Sequence, residues 1–374
     1  MIPFNKPYIS NKVLCNIEKV CDNECLGKDI FVKKCEAKLR KITSSKRALL
    51  THSCTGALEI SAILANIKDG DEVIMSSFTH PSTANAFVLR GGVPVFVDIR
   101  EDTLNIDETL ILSAWTPKTK AIVVTHYAGI ACEMDTIIKL ANKCGIIVVE
   151  DAAQCIDSYY RGDHLGSMGD FGTISFHSTK NIPIGEGGVL LINNSNYIDR
   201  AEIVHKFGTN RTKFMDNKAD KYEWVDIGSS YMTSEITAAF LYSQLSNMDS
   251  VTKQRLNIWD RYLSGFEDLE KEGYIKRPTV PRECWNHNAH IFYLLVWGGK
   301  RDFLLNELAK RKIQSSTHFV PLHTSKYGKK FYKYLPVTNV VSNCILRLPI
   351  WYNMPNNTVD YIIDNVKEVI HSVY

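Results

Sequence analysis

The sequence has no G-x-G-x-x-G and no G-x-x-x-x-G-K-[ST]. The first absence argues against a dinucleotide site of the Rossmann kind, and the second removes a P-loop. Ten cysteines are present, yet no Cys-x-x-Cys, so neither a zinc knuckle nor a thioredoxin-like motif is written here. Cys15, Cys21, Cys25 and Cys35 fall in a charged amphipathic stretch, and Cys144 and Cys155 in apolar context, which reads as reduced thiols. No apolar run approaches the ~18–20 residues of a membrane span. The start, MIPFNKPYIS, lacks the apolar core of a signal peptide, so a soluble cytoplasmic protein is expected. Charge of one sign is missing too. Against 44 Lys+Arg stand 41 Asp+Glu, a net +3, which predicts no nucleic-acid footprint.

What is there is a chain of 374 residues, 45% hydrophobic. That is long enough for two lobes, because single cores tend to split beyond roughly 250–300 residues. Between residues 47 and 193, short apolar runs alternate with helical patterns. RALLT (47–51), EVIM (72–75), PVFVDI (94–99), AIVVTHY (121–127), IIVVED (146–151), TISFH (173–177) and GGVLLIN (187–193) read as strands. Several are continuously apolar, as expected where helices cover both faces of a sheet. ALEISAILANI (57–67) and MDTIIKLANKC (134–144) read as helices between them. The alternation predicts an α/β domain over 1–250 with a mostly parallel seven-stranded sheet. A smaller α/β domain over 251–374 is expected from a polar helix pattern, a strand at 290–297 and a final amphipathic helix.

Open α/β sheets bind ligands beyond the carboxyl ends of their strands. Those positions carry HSCTG, HPST, DAAQ and HSTKN. Lys180 follows TISFH and precedes NIPIGEGG, whose three glycines permit tight turns or close approach to a ligand. A lysine desolvated in a cleft loses proton affinity and becomes a nucleophile toward aldehydes, as pyridoxal-phosphate (PLP) chemistry requires. Asp151 ends the most apolar strand. It reads either as the N-cap of a helix starting in AAQCI or as a buried carboxylate partner for a pyridine nitrogen. Lys180 downstream on the same sheet favours the second. Ser53, Cys54, Thr55 and Gly56 lie where a strand runs into a helix and could face a phosphate; Ser175 could add a hydroxyl. Ser and Thr there also serve as plain caps. His287 and His290 have i,i+3 spacing, but no carboxylate pair accompanies them, so no metal is expected and a surface or substrate-side role is read. The basic, aromatic run SKYGKKFYKY (325–334) reads as a solvated lobe surface rather than a nucleic-acid platform.

These residues together resemble the DegT/DnrJ/EryC1/StrS family of sugar aminotransferases, which has the aspartate-aminotransferase-like fold type I of PLP enzymes. The stretches that carry the resemblance are LLTHSCTGALE (49–59), GDEVIMSSFTHPSTANAFVLRGGVPVFVD (70–98), HYAGIACEMDTI (126–137), VEDAAQ (149–154) and GSMGDFGTISFHSTKNIPIGEGG (166–188). It continues through FGTNRTKF (207–214), DIGSSYMTSEITAAFLYSQL (226–245) and HFVPLH (318–323). The resemblance implies that Lys180 holds the cofactor as a Schiff base and later shuttles a proton. Asp151 would pair with the pyridine nitrogen, Gln154 lie near the ring oxygen, and Ser53, Cys54, Thr55 and Ser175 cradle the phosphate. Asn210 would reach a phosphate from a second subunit, implying a homodimer with shared sites. Tyr127, His318 and His323, in the matched stretches, would contact substrate. The implied reaction moves an amino group from L-glutamate to C4 of dTDP-4-keto-6-deoxyglucose, giving the galacto product; the gluco epimer or a 3-amino sugar are its neighbours. A PLP-dependent dehydratase is a further alternative, but those relatives carry histidine in place of Lys180. A silent sugar-nucleotide-binding protein would sooner have lost Lys180 or Asp151. Two departures stand out. His80 occupies the position where family members commonly stack an aromatic ring on the cofactor, and NIPIGEGG is one residue shorter than in close relatives.

Overall fold

The computed structural model describes residues 1–22 and 28–374; Cys25 lies outside them. Seven strands form the main sheet: β1 (Arg47–Thr51), β2 (Glu72–Ser76), β3 (Val93–Val97), β4 (Thr119–Thr125), β5 (Ile147–Asp151), β8 (Phe171–Ser175) and β9 (Gly188–Ile192). A small hairpin, β6 (Tyr159–Tyr160) and β7 (Asp163–His164), intervenes. The order is β1-β9-β8-β5-β4-β2-β3, with only β9 running against its neighbours. The expected mostly parallel seven-stranded sheet is therefore present.

Side chains alternate between two apolar layers, as the pleat demands. Ile122, Val124, Val148, Ile174 and Val189 enter one core, together with helices Ile30–Thr43, Met134–Cys144 and Glu235–Leu245. Val123, Val149, Phe171 and Leu190 enter the other, with helices Cys54–Leu64 and Pro81–Val88. Coverage on both faces is why these strands read as unbroken apolar runs. Helix Met134–Cys144 has the expected bounds and ends at Gly145 in the left-handed region. The helix expected from Ala57 starts three residues earlier, because Ser53 caps it by accepting from the Gly56 N–H. The strand expected over 173–177 stops at Ser175, which leaves His177 to Lys180 in a turn. No helix begins after Asp151, so its N-cap reading fails; turns occupy the residues that follow.

A second layer follows helix Met248–Gly265. Strands β10 (Ile275–Lys276), β11 (Phe292–Val296) and β12 (Ile345–Leu348) pair antiparallel. Helices Met248–Gly265, Arg301–Lys310 and Asn356–His371 complete a separate core of Trp259, Tyr262, Phe292, Leu346 and Ile362 among others. Ile2 packs on this core and exchanges backbone bonds with Lys312 and Gln314, so the first residues attach to the second lobe. Arg255 ties the lobe together by donating to the carbonyls of Ala289, His290 and Ile350.

The end of β5 carries two buried carboxylates facing opposite ways. Glu150 Oε1 accepts from the N–H groups of Met168 and Gly169, and Oε2 from that of Gly166 and from His126 Nε2. Those bonds fasten the loop that leads into β8. Removing them leaves several buried donors without partners, so Glu150→Ala is expected to destabilise the fold by about 3–5 kcal/mol. Glu150→Gln keeps one acceptor oxygen and is expected to cost less. Chemical denaturation of both variants checks the order; equal stability of wild type and Glu150→Ala would contradict it.

Candidate active site

The carboxyl ends of β1, β2, β4, β5 and β8 converge on one cavity of about 410 Å³. Its wall includes Ser53, Cys54 and Thr55 after β1, Thr79 and His80 after β2, and Thr125 at the end of β4. Asp151 and Gln154 line it from β5, and Ser175 and Lys180 from β8. The volume suits a small cofactor with substrate. Every cofactor residue expected from sequence except Asn210 meets here.

Lys180 is held by its turn, with its N–H on the His177 carbonyl. Burial drives the amine below the ordinary lysine range, and the nearby Asp151 carboxylate only partly opposes this. The Asp151 carboxylate is fixed on both oxygens. Thr83 Oγ1 donates to Oδ2 at 2.5 Å and the Ala153 N–H to Oδ1 at 3.2 Å. Thr83 belongs to a run of hydroxyls, Thr83–Thr79–Thr125, each step 2.9 Å. Sequence reasoning gave Thr83 and Thr79 no role; the one signal was HPST at a strand end, whose last residue is Thr83.

Ser53 to Thr55 form the first turn of helix Cys54–Leu64, whose N–H groups and dipole favour an anion. β9 starts hard against this turn. A Cβ on Gly188 would lie 2.4 Å from Cys54 N, so only glycine fits. Gly185, at φ +91°, makes the turn ahead of it. Gln154 Oε1 accepts from the Ala128 N–H at 2.6 Å, which orients its amide at the cavity edge. His80 caps helix Pro81–Val88 through Nδ1, accepting from the Ser82 N–H. Burial lowers its pKa below the usual 6.5, so a neutral ring faces the cavity. The donor set fits a phosphorylated aldehyde: an amine of depressed basicity, a fixed carboxylate and a helix N-terminus.

The expected substrate contacts divide. His318 lines the cavity, joined by Phe319 and Glu186, which sequence reasoning did not find. Burial, with Arg347 and Lys180 adding to it, pushes His318 down to about 2, so its ring is neutral. Tyr127 is a correction. It is buried behind the wall and its hydroxyl bonds His318 Nδ1 at 3.0 Å, so it orients a lining residue. His323 is a second correction, being buried with Nδ1 on Ser77 Oγ at 2.7 Å, away from the cavity lining. Asn210 also lies outside the cavity of its own chain; it bonds the Lys221 carbonyl and the Glu223 N–H. The surface reading of His287 and His290 does not hold. Both are buried off any helix, His287 edge-on to Trp259 and His290 Nδ1 on Asn181 Oδ1 at 2.9 Å. Among the described residues no His, Cys, Asp and Glu cluster could hold a metal ion.

With this geometry in place, comparison with known proteins is decisive. A model of the DegT/DnrJ/EryC1/StrS aminotransferase family matches residues 7–367. The chain belongs to this family. It is 31% identical over 381 residues to the spore coat polysaccharide biosynthesis protein SpsC of Bacillus subtilis, covering 99% of this chain and 97% of that protein. It is 34% identical over 348 residues to protein MJ1066 of Methanocaldococcus jannaschii, covering 90% and 89%. Among solved structures, Spr1654 of Streptococcus pneumoniae, described as a sugar aminotransferase and solved in its PMP form, superposes with a TM-score of 0.92 at 27% identity, covering 100% of both chains. The aminotransferase TlmJ of Streptoalloteichus hindustanus gives 0.91 at 25%, again over 100% of both. The aminotransferase fold expected from sequence is thus established.

The depressed amine has a direct test. In cofactor-free protein, reductive methylation of Lys180 by formaldehyde, followed by mass spectrometry, should rise with pH through an inflection below that of exposed lysines. The Asp151 charge holds the proton on, so Asp151→Asn should move the inflection lower still. An inflection shared with surface lysines would refute the desolvated site.

Proposed function

We propose that the chain is a PLP-dependent aminotransferase that moves the amino group of L-glutamate to C4 of dTDP-4-keto-6-deoxy-D-glucose, giving dTDP-4-amino-4,6-dideoxy-D-galactose. The observation that carries the reading is Lys180, an amine of lowered basicity in the same cavity as the anchored Asp151. Membership of an aminotransferase family, the polysaccharide role in the name of SpsC and the PLP and PMP forms of Spr1654 support it.

When bound, PLP supplies a carbonyl that takes up amines and a ring that draws electrons from the adjacent carbon. Lys180 would hold it and, once displaced, carry a proton at Nζ between cofactor and substrate carbons. Asp151 would hold a proton at the pyridine nitrogen, and its two fixed oxygens cost no reorganisation at that moment. The turn at Ser53–Thr55, with Ser175, would hold the phosphate. Gln154 would lie near the ring oxygen, and neutral His80 would stack over the ring, with less apolar area than a larger aromatic. His318 would face the sugar.

The same reading makes the protein a cytoplasmic homodimer with lobes at 1–250 and 251–374. Asn210 sits outside its own cavity, beside exposed Phe214, Trp224 and Ile227, which supports a shared site completed by a second copy. No helix among the described residues is long and apolar enough to cross a membrane.

Purified with PLP, the protein should show the visible band of bound cofactor and lose it on addition of glutamate. Lys180→Ala should lack that band. Persistence of the band in the variant, or indifference of wild type to glutamate, would overturn the proposal. NMR of the amino sugar formed then decides C4 against C3 and the epimer.

A further inference from the structure

Residues 287–290 lead directly into β11 of the second lobe, yet their polar groups bond the loops of the first. Asn288 is fully buried and its polar groups are engaged on all sides. Its N–H donates to Ser158 Oγ at 3.0 Å, and its amide nitrogen to the carbonyls of Gln154 and Ile156, both at 2.8 Å. Its Oδ1 accepts from the His290 N–H at 3.0 Å, and its carbonyl from the Asn181 amide at 2.8 Å. Asn181 closes the circuit, with Oδ1 lying 2.9 Å from His290 Nδ1. An amide oxygen only accepts, so the imidazole proton sits on Nδ1. Burial, with Lys180 and Arg255 adding to it, keeps that ring neutral.

The circuit lies where the two key side chains are set. Asn181 is the residue after Lys180, and Gln154 follows Asp151 within the same turn. One buried knot therefore holds the loops after β5 and β8 together. It is fixed from behind by helix Met248–Gly265. Arg255 donates to the carbonyls of Ala289 and His290 at 3.2 and 2.8 Å, and Trp259 Nε1 to that of Ile291 at 3.2 Å. It is equally tight in front, where a Cβ on Gly129 would lie 2.3 Å from Asn288 Oδ1. Tyr127, in the same turn as Gly129, bonds His318, so the second lobe meets this turn at two points. His318 itself stands just past Ser316, which bridges to Arg347 of β12.

A buried, fully satisfied polar circuit has no slack, because any displacement leaves donors unpaired in a low dielectric. We propose that Asn288, His290 and Asn181 are positioning residues: they set the Lys180 amine against Asp151 and register it to the lobe that brings His318. The inference rests on the reading of Lys180 as the reacting amine, and two readouts in the full chain let the two fail apart.

The first readout is the pH inflection of reductive methylation at Lys180 in cofactor-free protein, which follows the burial of that amine. His290→Leu removes the donor to Asn181 and should move the inflection up, toward that of exposed lysines, as the loop after β8 loosens. His290→Asn puts an amide N–H in place of the Nδ1–H and should restore it. The second readout is the bleaching of PLP-loaded protein by glutamate. His290→Leu should slow it about tenfold at saturation, with the half-saturating concentration unchanged. Tyr262→Phe controls for stability alone: it removes a buried hydrogen bond to the Pro349 carbonyl in the same lobe and should lower the unfolding midpoint without moving either readout. Should His290→Leu not fold, Asn181→Ser breaks the same bond from the other side. A folded variant in which either readout keeps its wild-type value overturns the proposal, as does an equal shift in Tyr262→Phe or no recovery in His290→Asn. If glutamate fails to bleach wild type, the donor reading fails; the inflection alone then decides, and its shift in His290→Leu with return in His290→Asn leaves the joint standing.

Discussion

Two adjacent carboxylates at the end of β5 organise this molecule. The pleat sends Glu150 to one face of the sheet and Asp151 to the other. Glu150 is consumed entirely by structure, accepting three backbone N–H groups and bonding His126. That fixes the loop into β8, and β8 in turn delivers Lys180. Asp151, one residue on, is left for the cavity and is aimed by Thr83 and Ala153. A one-residue slip of β5 would exchange the two roles and abolish both. The strand's register is therefore a chemical constraint as well as a packing one.

Around this pair the site is made of strand ends, which differ in the groups they supply. β1 gives a helix N-terminus, β2 an imidazole and hydroxyls, β5 the carboxylate and β8 the amine. Burial acts in one direction on the bases: Lys180, His80 and His318 all lose proton affinity. The cavity thus presents neutral imidazoles at neutral pH, beside an amine that gives up its proton more readily than an exposed lysine. Such groups can take up an aldehyde, stack or donate a single hydrogen bond without importing charge.

Much of this was legible in the residues. Continuous apolar strands showed two covered faces, and polar clusters just after them marked the cavity. Lys180, Asp151, Gln154, Ser53 and Ser175 all came together as read. What failed depended on tertiary direction. Tyr127 and His323 sit in matched motifs beside the cavity, but both rings are buried behind its wall, bonded to His318 and Ser77. The i,i+3 pattern of His287 and His290 read as a surface or substrate-side feature, yet the segment is no helix and both are buried, which removes the surface reading. Thr83 stood in the polar cluster HPST but was given no role, because nothing local says that its hydroxyl meets a carboxylate 68 residues away.

The central claim is that one amine, Lys180, is made reactive by its place in the fold. Borohydride reduction of the PLP-loaded protein, then proteolysis and mass spectrometry, tests it most directly. The account predicts the pyridoxyl label on the peptide containing Lys180 and on no other at one equivalent of cofactor. A label spread over exposed lysines, or fixed on a different residue, would contradict it.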